Sequence, residues 1–366
     1  MADLKEVYLK DNDLIKVNGR TIESRDPAYL LWSGSSIEMK VKCSELYVLM
    51  EGPYDTYENR IAIEINGSII SRQAVSKEKE WVNIFRMNNP ENETTVRIIK
   101  EVQLMSDDPC HSLNIYAVKL DGEILPVNEK KLKIEFIGDS ITSGEGAIGA
   151  RCEQDWVSRI FSHTRSYPYL VGKMLDADIR VFSQSGWGVY HSWDNKPFCT
   201  IPKYYEETAS LLKGDIFKEK GFHDKWDFKK WQPDFIIINL GTNDDGAFHN
   251  DEFKDPETGE VHKLKMNGDE YDKDDLKKVR KAMTKFIKKV RKNNPDACII
   301  WTYGLVGNAM APVIKKAIKK SEDTNTFYVG LQEVTDDTVG SRCHPGKKAH
   351  KKTAKKLVFF IKGYLY

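Results

Sequence analysis

Hydrophobic and polar residues alternate through the first third of the chain. Ile37, Met39, Val41 and Cys43 are separated by Glu38, Lys40 and Lys42, and Leu46, Val48 and Met50 repeat the pattern after a short break. A period of two belongs to a strand with one face in a core and the other in water. Arg60–Ile65 is another short run, closed by Asn66-Gly67, a pair whose tolerance of positive φ suits a two-residue hairpin turn. Residues 96–102 and 113–120 follow, the latter closed by Asp121-Gly122, with no long helical period among them. Strands at this spacing predict a β-sandwich, and Pro126 marks its end.

From Lys131 the rhythm changes. Short, mostly apolar runs at 134–137, 179–182, 235–238, 298–301 and 327–329 predict strands, and 235–238, nearly all apolar, predicts one buried on both faces. Helices are expected around 169–175, over 275–291, where Leu276, Val279, Met283, Ile287 and Val290 recur at helical spacing, and over 347–366. Strands alternating with helices predict a parallel sheet covered on both faces. The chain therefore divides into a sandwich over 1–128 and an α/β domain over 129–366, in keeping with a length of 366 residues, too great for one core of ordinary size. Ligands of such sheets bind at the carboxyl ends of the strands, so the residues just after each run carry the chemical information.

After the first run comes Gly138-Asp139-Ser140-Ile141-Thr142. A glycine permits a tight strand-to-helix turn that presents the serine at the sheet edge, although serine is also a common helix N-cap. After the second comes Ser183-Gln184-Ser185-Gly186-Trp187-Gly188. A glycine there lets a substrate approach the backbone and offers its N–H to an anion, or is an ordinary loop residue. After the third comes Gly241-Thr242-Asn243-Asp244. An asparagine amide held rigidly is an oxyanion donor, while the same residue types also make turns. Near the end, Cys343-His344-Pro345 places a histidine at the entrance to the last helix.

In this order and at these places, the four blocks resemble the SGNH, or GDSL-like, hydrolase family over roughly 131–366. The resemblance implies a flavodoxin-like SGNH hydrolase domain. It assigns the nucleophile to Ser140 and the general base to His344. It assigns the oxyanion hole to the Ser140 and Gly186 N–H groups and the Asn243 side chain. The chemistry agrees with that assignment: a serine hydroxyl needs a nearby base, an imidazole can take its proton and return it, and fixed donors stabilise the tetrahedral oxyanion. One departure matters. Many members carry an aspartate three residues before the histidine, and here that position is Ser341. Asp336 and Asp337 lie farther back in another stretch of loop. A Ser–His dyad is expected, with the imidazole held by a backbone carbonyl in the 340–343 loop or near Trp301.

A sandwich of this size before an SGNH domain that lacks the aspartate looks like carbohydrate esterase family two, with a jelly-roll sandwich as its first domain. Gly186-Trp187-Gly188-Val189-Tyr190 and 299–304 carry that narrower match. The resemblance implies removal of O-acetyl groups from xylan or a related plant polysaccharide or oligosaccharide through an acyl-enzyme. Trp187, Tyr190 and Trp301 are the expected sugar-contacting residues, with Trp193 a weaker candidate, since a ring can stack on a sugar face; core packing is the ordinary alternative. A lipid esterase or thioesterase of the same fold, and a carbohydrate-binding protein without turnover, are the competing readings.

Composition narrows the partners. A net charge of +1 argues against nucleic acid, and the lysine pairs near the end read as a solvated helix face. No stretch is apolar for the length of a membrane span. The start has no secretory pattern and the six cysteines form no CxxC pair. A cytoplasmic location with reduced thiols is expected, or a secreted one if a signal peptide has been removed. Residues 245–274 are polar and read equally as a lid or a solvated insertion. Asp244, Asp245, Asp251 and Glu252 fit no calcium loop, so neither metal nor cofactor is expected, and homo-oligomerisation is left open.

Overall fold

The computed structural model describes residues 3–365. Contacts divide the chain into two units. One holds the chain up to Lys130 together with Trp156–Thr164 and Glu207–Trp226; the other holds Lys131–Asp155, Arg165–Glu206 and the chain from Asp227 onward.

The first unit is built on two antiparallel sheets. Lys5–Tyr8, Leu113–Leu120, Leu46–Glu51 and Glu80–Phe85 run in that order in one, with Ala28–Leu30 also paired to Leu113–Leu120. Glu123–Leu125, Ser36–Lys42, Thr94–Lys100, Arg60–Ile65 and Ser68–Ala74 run in that order in the other, with Lys16–Asn18 paired to Ser36–Lys42. The alternation seen in the sequence is the alternation of burial. Ile37, Met39 and Val41 from one sheet share a core with Leu46, Val48 and Met50 from the other, and all six are fully buried. Asn66 and Gly67 both have positive φ, 48° and 76°, and join strands paired at Ile65 and Ser68, as a two-residue hairpin requires.

Two segments from beyond residue 130 complete this unit, which a boundary at 128 does not foresee. Glu101 is fully buried in it and receives Arg72 Nε at 2.8 Å, Ser162 Oγ at 3.1 Å and the Thr164 N–H at 3.0 Å. Trp32, also buried, donates its indole N–H to the Thr208 carbonyl at 3.1 Å. A buried carboxylate or indole must find partners, and here the partners come from a remote stretch of chain.

The second unit contains a five-stranded parallel sheet. Its strands are β1 (Leu132–Gly138), β2 (Ala177–Ser183), β3 (Phe235–Asn239), β4 (Cys298–Tyr303) and β5 (Thr326–Gly330), in the order β2-β1-β3-β4-β5. This is the flavodoxin-like order, and it reverses direction between β1 and β3. The helices around it include α1 (Ser140–Ser143), α2 (Tyr167–Leu175), α3 (Thr242–His249), α4 (Lys273–Asn293), α5 (Ala311–Ser321) and α6 (Lys347–Leu365). Every residue of β3 and β4 is buried, as the apolar composition of β3 predicts. Helix α4 buries Val279, Met283, Ile287 and Val290 on the face expected of it. Among the described residues no helix is long and apolar enough to cross a membrane, and all six cysteines are free.

Candidate active site

Ser140 opens α1 directly after β1, and Asn243 lies in the first turn of α3 after β3. The two strands are neighbours at the point where the sheet order reverses, which is where ligands of such sheets bind. Asp139 caps α1: its carboxylate accepts the Ile141 N–H at 3.0 Å, which fixes the turn that presents Ser140. The third and second blocks are tied to the first through one side chain. Asn243 Nδ2 donates to Asp139 Oδ2 at 3.3 Å and to the Trp187 carbonyl at 3.1 Å. The Gln184 N–H reaches the Gly138 carbonyl at 3.2 Å, closing the same circuit along the backbone. Gly186 has φ of +79°, and a Cβ on it would lie 2.9 Å from Trp193 Cδ1, so both its conformation and its neighbour require glycine.

His344 meets Ser140. Its Nε2 lies 2.9 Å from Ser140 Oγ, and its Nδ1 lies 2.8 Å from the Arg342 carbonyl. A carbonyl only accepts, so Nδ1 carries the hydrogen and Nε2 presents its lone pair to the serine hydroxyl. The aspartate's usual place does not contribute: Ser341 turns its hydroxyl to the Ile148 carbonyl at 2.9 Å. Asp336 pairs with Arg151 at 2.6 Å with 91% of its side chain exposed, and Asp337 is exposed. The carbonyl is therefore in the 340–343 loop, the first of the two places expected. Pro345 sits in an isolated bridge with Val339, and α6 begins at Lys347, where the sequence places its start.

Two carboxylates support this frame, and sequence reasoning gave neither a role. Asp244 is fully buried and accepts the N–H groups of Val189 at 2.8 Å and Tyr190 at 2.7 Å, holding the loop that carries Gly186. Burial pushes its carboxyl up to about 6, against the pull of those N–H groups. Burial likewise pushes Asp139 up to about 7, with the charge of Glu145 adding to the rise.

The aromatic residues sort differently from expectation. Trp301 is not a sugar contact: it is 0% exposed, and its indole N–H donates to the Leu240 carbonyl at 3.0 Å. It is the fourth residue of a strand that continues to Tyr303, so it lies inside the sheet and not beyond it. Trp187 is also buried, with its ring 5.1 Å from that of Tyr204. Tyr190 is half-buried and stacks on His191 at 4.6 Å. Trp193 is the exposed ring, at 50%, and it is the one that lies against Gly186. The 245–274 segment is neither loop nor coil throughout. Its start finishes α3, and two short hairpins follow, Phe253–Lys254 with Val261–His262 and Met266–Asn267 with Glu270–Tyr271. Asn195 holds it by donating to the Ala247 and Asp251 carbonyls and accepting the Leu264 N–H. Among the described residues no group of three or more His, Cys, Asp or Glu side chains is placed to hold a metal ion.

A flavodoxin-like sheet with a serine after its first strand, hydrogen-bonded to a histidine just before its last helix, defines the SGNH class. The chain belongs to the GDSL-like lipase/acylhydrolase family, whose pattern matches residues 136–339 and so stops short of His344. An acetylxylan esterase / glucomannan deacetylase of Cellvibrio japonicus is 28% identical over 65% of this chain, and the chain spans 57% of that protein's length. The structure of an acetyl xylan esterase, Est2A, from the rumen bacterium Butyrivibrio proteoclasticus superposes with a TM-score of 0.96 at 37% identity, covering 99% of both chains. A family two carbohydrate esterase from Clostridium thermocellum in complex with cellohexaose superposes with a TM-score of 0.78 over 96% of this chain and 99% of that one. At 23% identity that likeness is one of fold.

Proposed function

We propose that the chain is a serine esterase that removes O-acetyl groups from xylan or a related plant polysaccharide or oligosaccharide. The observation that carries the chemistry is the Ser140 Oγ to His344 Nε2 hydrogen bond at 2.9 Å, with Nδ1 held by the Arg342 carbonyl. The substrate class is supported by the acetyl xylan esterase that matches over 99% of the chain at 37% identity, and by the exposed ring of Trp193 beside Gly186.

The geometry supports the following course of reaction. Ser140 Oγ attacks the acetyl carbonyl carbon as its proton passes to His344 Nε2. The carbonyl oxygen becomes an oxyanion, received by the N–H groups of Ser140 and Gly186 and by Asn243 Nδ2. Collapse breaks the bond to the sugar oxygen, which takes the proton from His344 and leaves as the free hydroxyl. The acetyl group stays on Ser140. Water then attacks this ester, giving its proton to His344; collapse returns the proton to Ser140 Oγ and releases acetate. Asn243 Nδ2 donates to Asp139 and to the Trp187 carbonyl in the free protein, which uses both of its hydrogens, so one of these bonds is exchanged for the oxyanion when substrate binds. Trp193 offers its face to the sugar that carries the ester.

The test is acetate release from acetylated xylan and glucomannan oligomers, with the deacetylated positions mapped by NMR. Ser140→Ala and His344→Ala are expected to lose roughly 10⁴- to 10⁶-fold in kcat with folding intact. Acetate release that survives Ser140→Ala would refute the nucleophile. Faster turnover of a long-chain acyl ester than of an acetyl ester would move the protein to a lipid or thioester substrate.

A further inference from the structure

In a triad the third residue orients the imidazole and also supplies negative charge to the imidazolium that forms. The Arg342 carbonyl performs only the first duty. We propose that Glu145, which no expectation from sequence singled out, performs the second and also secures the first; this rests on the Ser140–His344 assignment above.

Glu145 lies five residues after the nucleophile and is 2% exposed. Its N–H donates to the Ser140 carbonyl at 3.0 Å, so its backbone is fixed to the nucleophile's own turn. Its Oε1 lies 3.7 Å from His344 Nε2, the nitrogen that takes the serine proton. The same oxygen accepts Arg342 Nε at 3.0 Å. Arg342 and Cys343 are both in the left-handed region, with φ of 53° and 57°, a conformation that costs a non-glycine residue unless its surroundings hold it. Several contacts hold Arg342 there. Its N–H donates to the Glu153 carbonyl at 3.0 Å, its Nη1 donates to the Gln154 carbonyl, and its Nε is on Glu145. Next to Glu145, Gly146 has φ of +69°, and a Cβ there would come within 2.5 Å of both His344 Cβ and the Ser341 carbonyl. The stretch after the nucleophile is thus packed directly on the histidine loop.

Glu145 is a positioning residue with two consequences. It fixes Arg342, whose carbonyl fixes the ring and its tautomer. Its charge faces Nε2 when that atom becomes positive, in acylation and again in deacylation. The Arg342 guanidinium on the same oxygen offsets part of that charge, so the effect is smaller than that of an unshared carboxylate at this distance.

The variants are Glu145→Gln, which keeps the shape and removes the charge, and Glu145→Asp, which restores the charge. Turnover of p-nitrophenyl acetate is followed in the steady state and in the pre-steady-state burst, and melting temperatures are taken in parallel. Glu145→Gln is expected to lose about 10- to 100-fold in kcat with KM within about twofold. The acylation and deacylation rates should fall by similar factors, since both pass through the imidazolium. Glu145→Asp should recover part of the loss. Arg342→Lys is a second arm: it keeps a cation on Glu145 but cannot also span to Gln154, so kcat should fall while KM holds. Wild-type kcat in Glu145→Gln, a loss confined to KM or to acylation, or no recovery in Glu145→Asp would overturn the charge role. Wild-type kcat in Arg342→Lys would overturn the clamp. If Ser140→Ala retains activity, the failure lies instead in the underlying assignment.

Discussion

Asp139 makes the protein's stability depend on pH in an unusual direction. Its carboxyl is 0% exposed, and burial raises it from an ordinary 3.8 to about 7. A carboxylate whose folded value is raised binds its proton more tightly when folded. It therefore contributes stability that is fully present below the unfolded value and is lost as pH rises to the folded one, because the unfolded chain gives up the proton first. The window runs from about 4 to about 7, and above it the penalty is constant. Integrating the two titrations gives a loss of about 2 kcal/mol by pH 5 and about 4 kcal/mol by pH 8.

Asp139→Asn removes that ionisation while keeping an oxygen to accept the Ile141 N–H. The variant should gain on the wild type as pH rises, the difference between them widening by about 2–3 kcal/mol between pH 5 and pH 8. For a unit of this size that corresponds to roughly 4–12 °C in melting temperature. Scanning calorimetry of both proteins at pH 5, 6, 7 and 8 measures it. A difference that stays flat across the series, or that narrows as pH rises, would show that the carboxylate is ionised in the folded protein throughout. The claim that burial dominates Asp139 would then fall.

Two further outcomes follow from the site. Trp193→Ala should raise KM for acetylated oligosaccharides by about 2- to 10-fold, the value of one lost stacking contact, with kcat within about twofold; unchanged oligosaccharide kinetics would remove Trp193 from the substrate surface. Asp336→Ala and Asp337→Ala should each leave kcat within about twofold, because Asp336 is largely exposed on Arg151 and Asp337 faces solvent. A loss in either variant approaching that of His344→Ala would mean that an aspartate holds the imidazole after all.

The elements that the sequence made legible are those whose burial follows a period. The alternation of 36–42 and 46–51, the apolar runs of β1, β3 and β4, and the α4 stripe each state their own environment. Helix α5 had the same kind of signal, since Val313, Ile314 and Ala317 are buried at helical spacing, and it could have been read. Helix α3 could not. Its eight residues, TNDDGAFH, hold a glycine and two acids and carry no apolar stripe, and its Asn243 and Asp244 side chains are spent on the neighbouring loop. The partition of the units was equally hidden, because it depends on where Glu101 and Trp32 find hydrogen-bond partners and not on any local pattern.

The same distinction explains the site. Ser140, Gly186, Asn243 and His344 were legible because each follows a strand or precedes a helix, so topology alone brings them to one edge of the sheet. Trp301 was misplaced by that very rule, since ending β4 two residues early turned a core ring into an edge ring. Residues that act through a neighbour leave no such mark. Asp244 serves through the backbone of Val189 and Tyr190, and Glu145 through the side chain of Arg342 and the ring of His344. A missing aspartate at 341 signals only that its duties must be met elsewhere. Here they are divided between a carbonyl and a carboxylate about 200 residues apart in the chain, since Arg342 and Glu145 are separated by 197 positions. A search for one replacement acid near His344 in sequence could not have found them, because the orienting group is not an acid and the acid is not near.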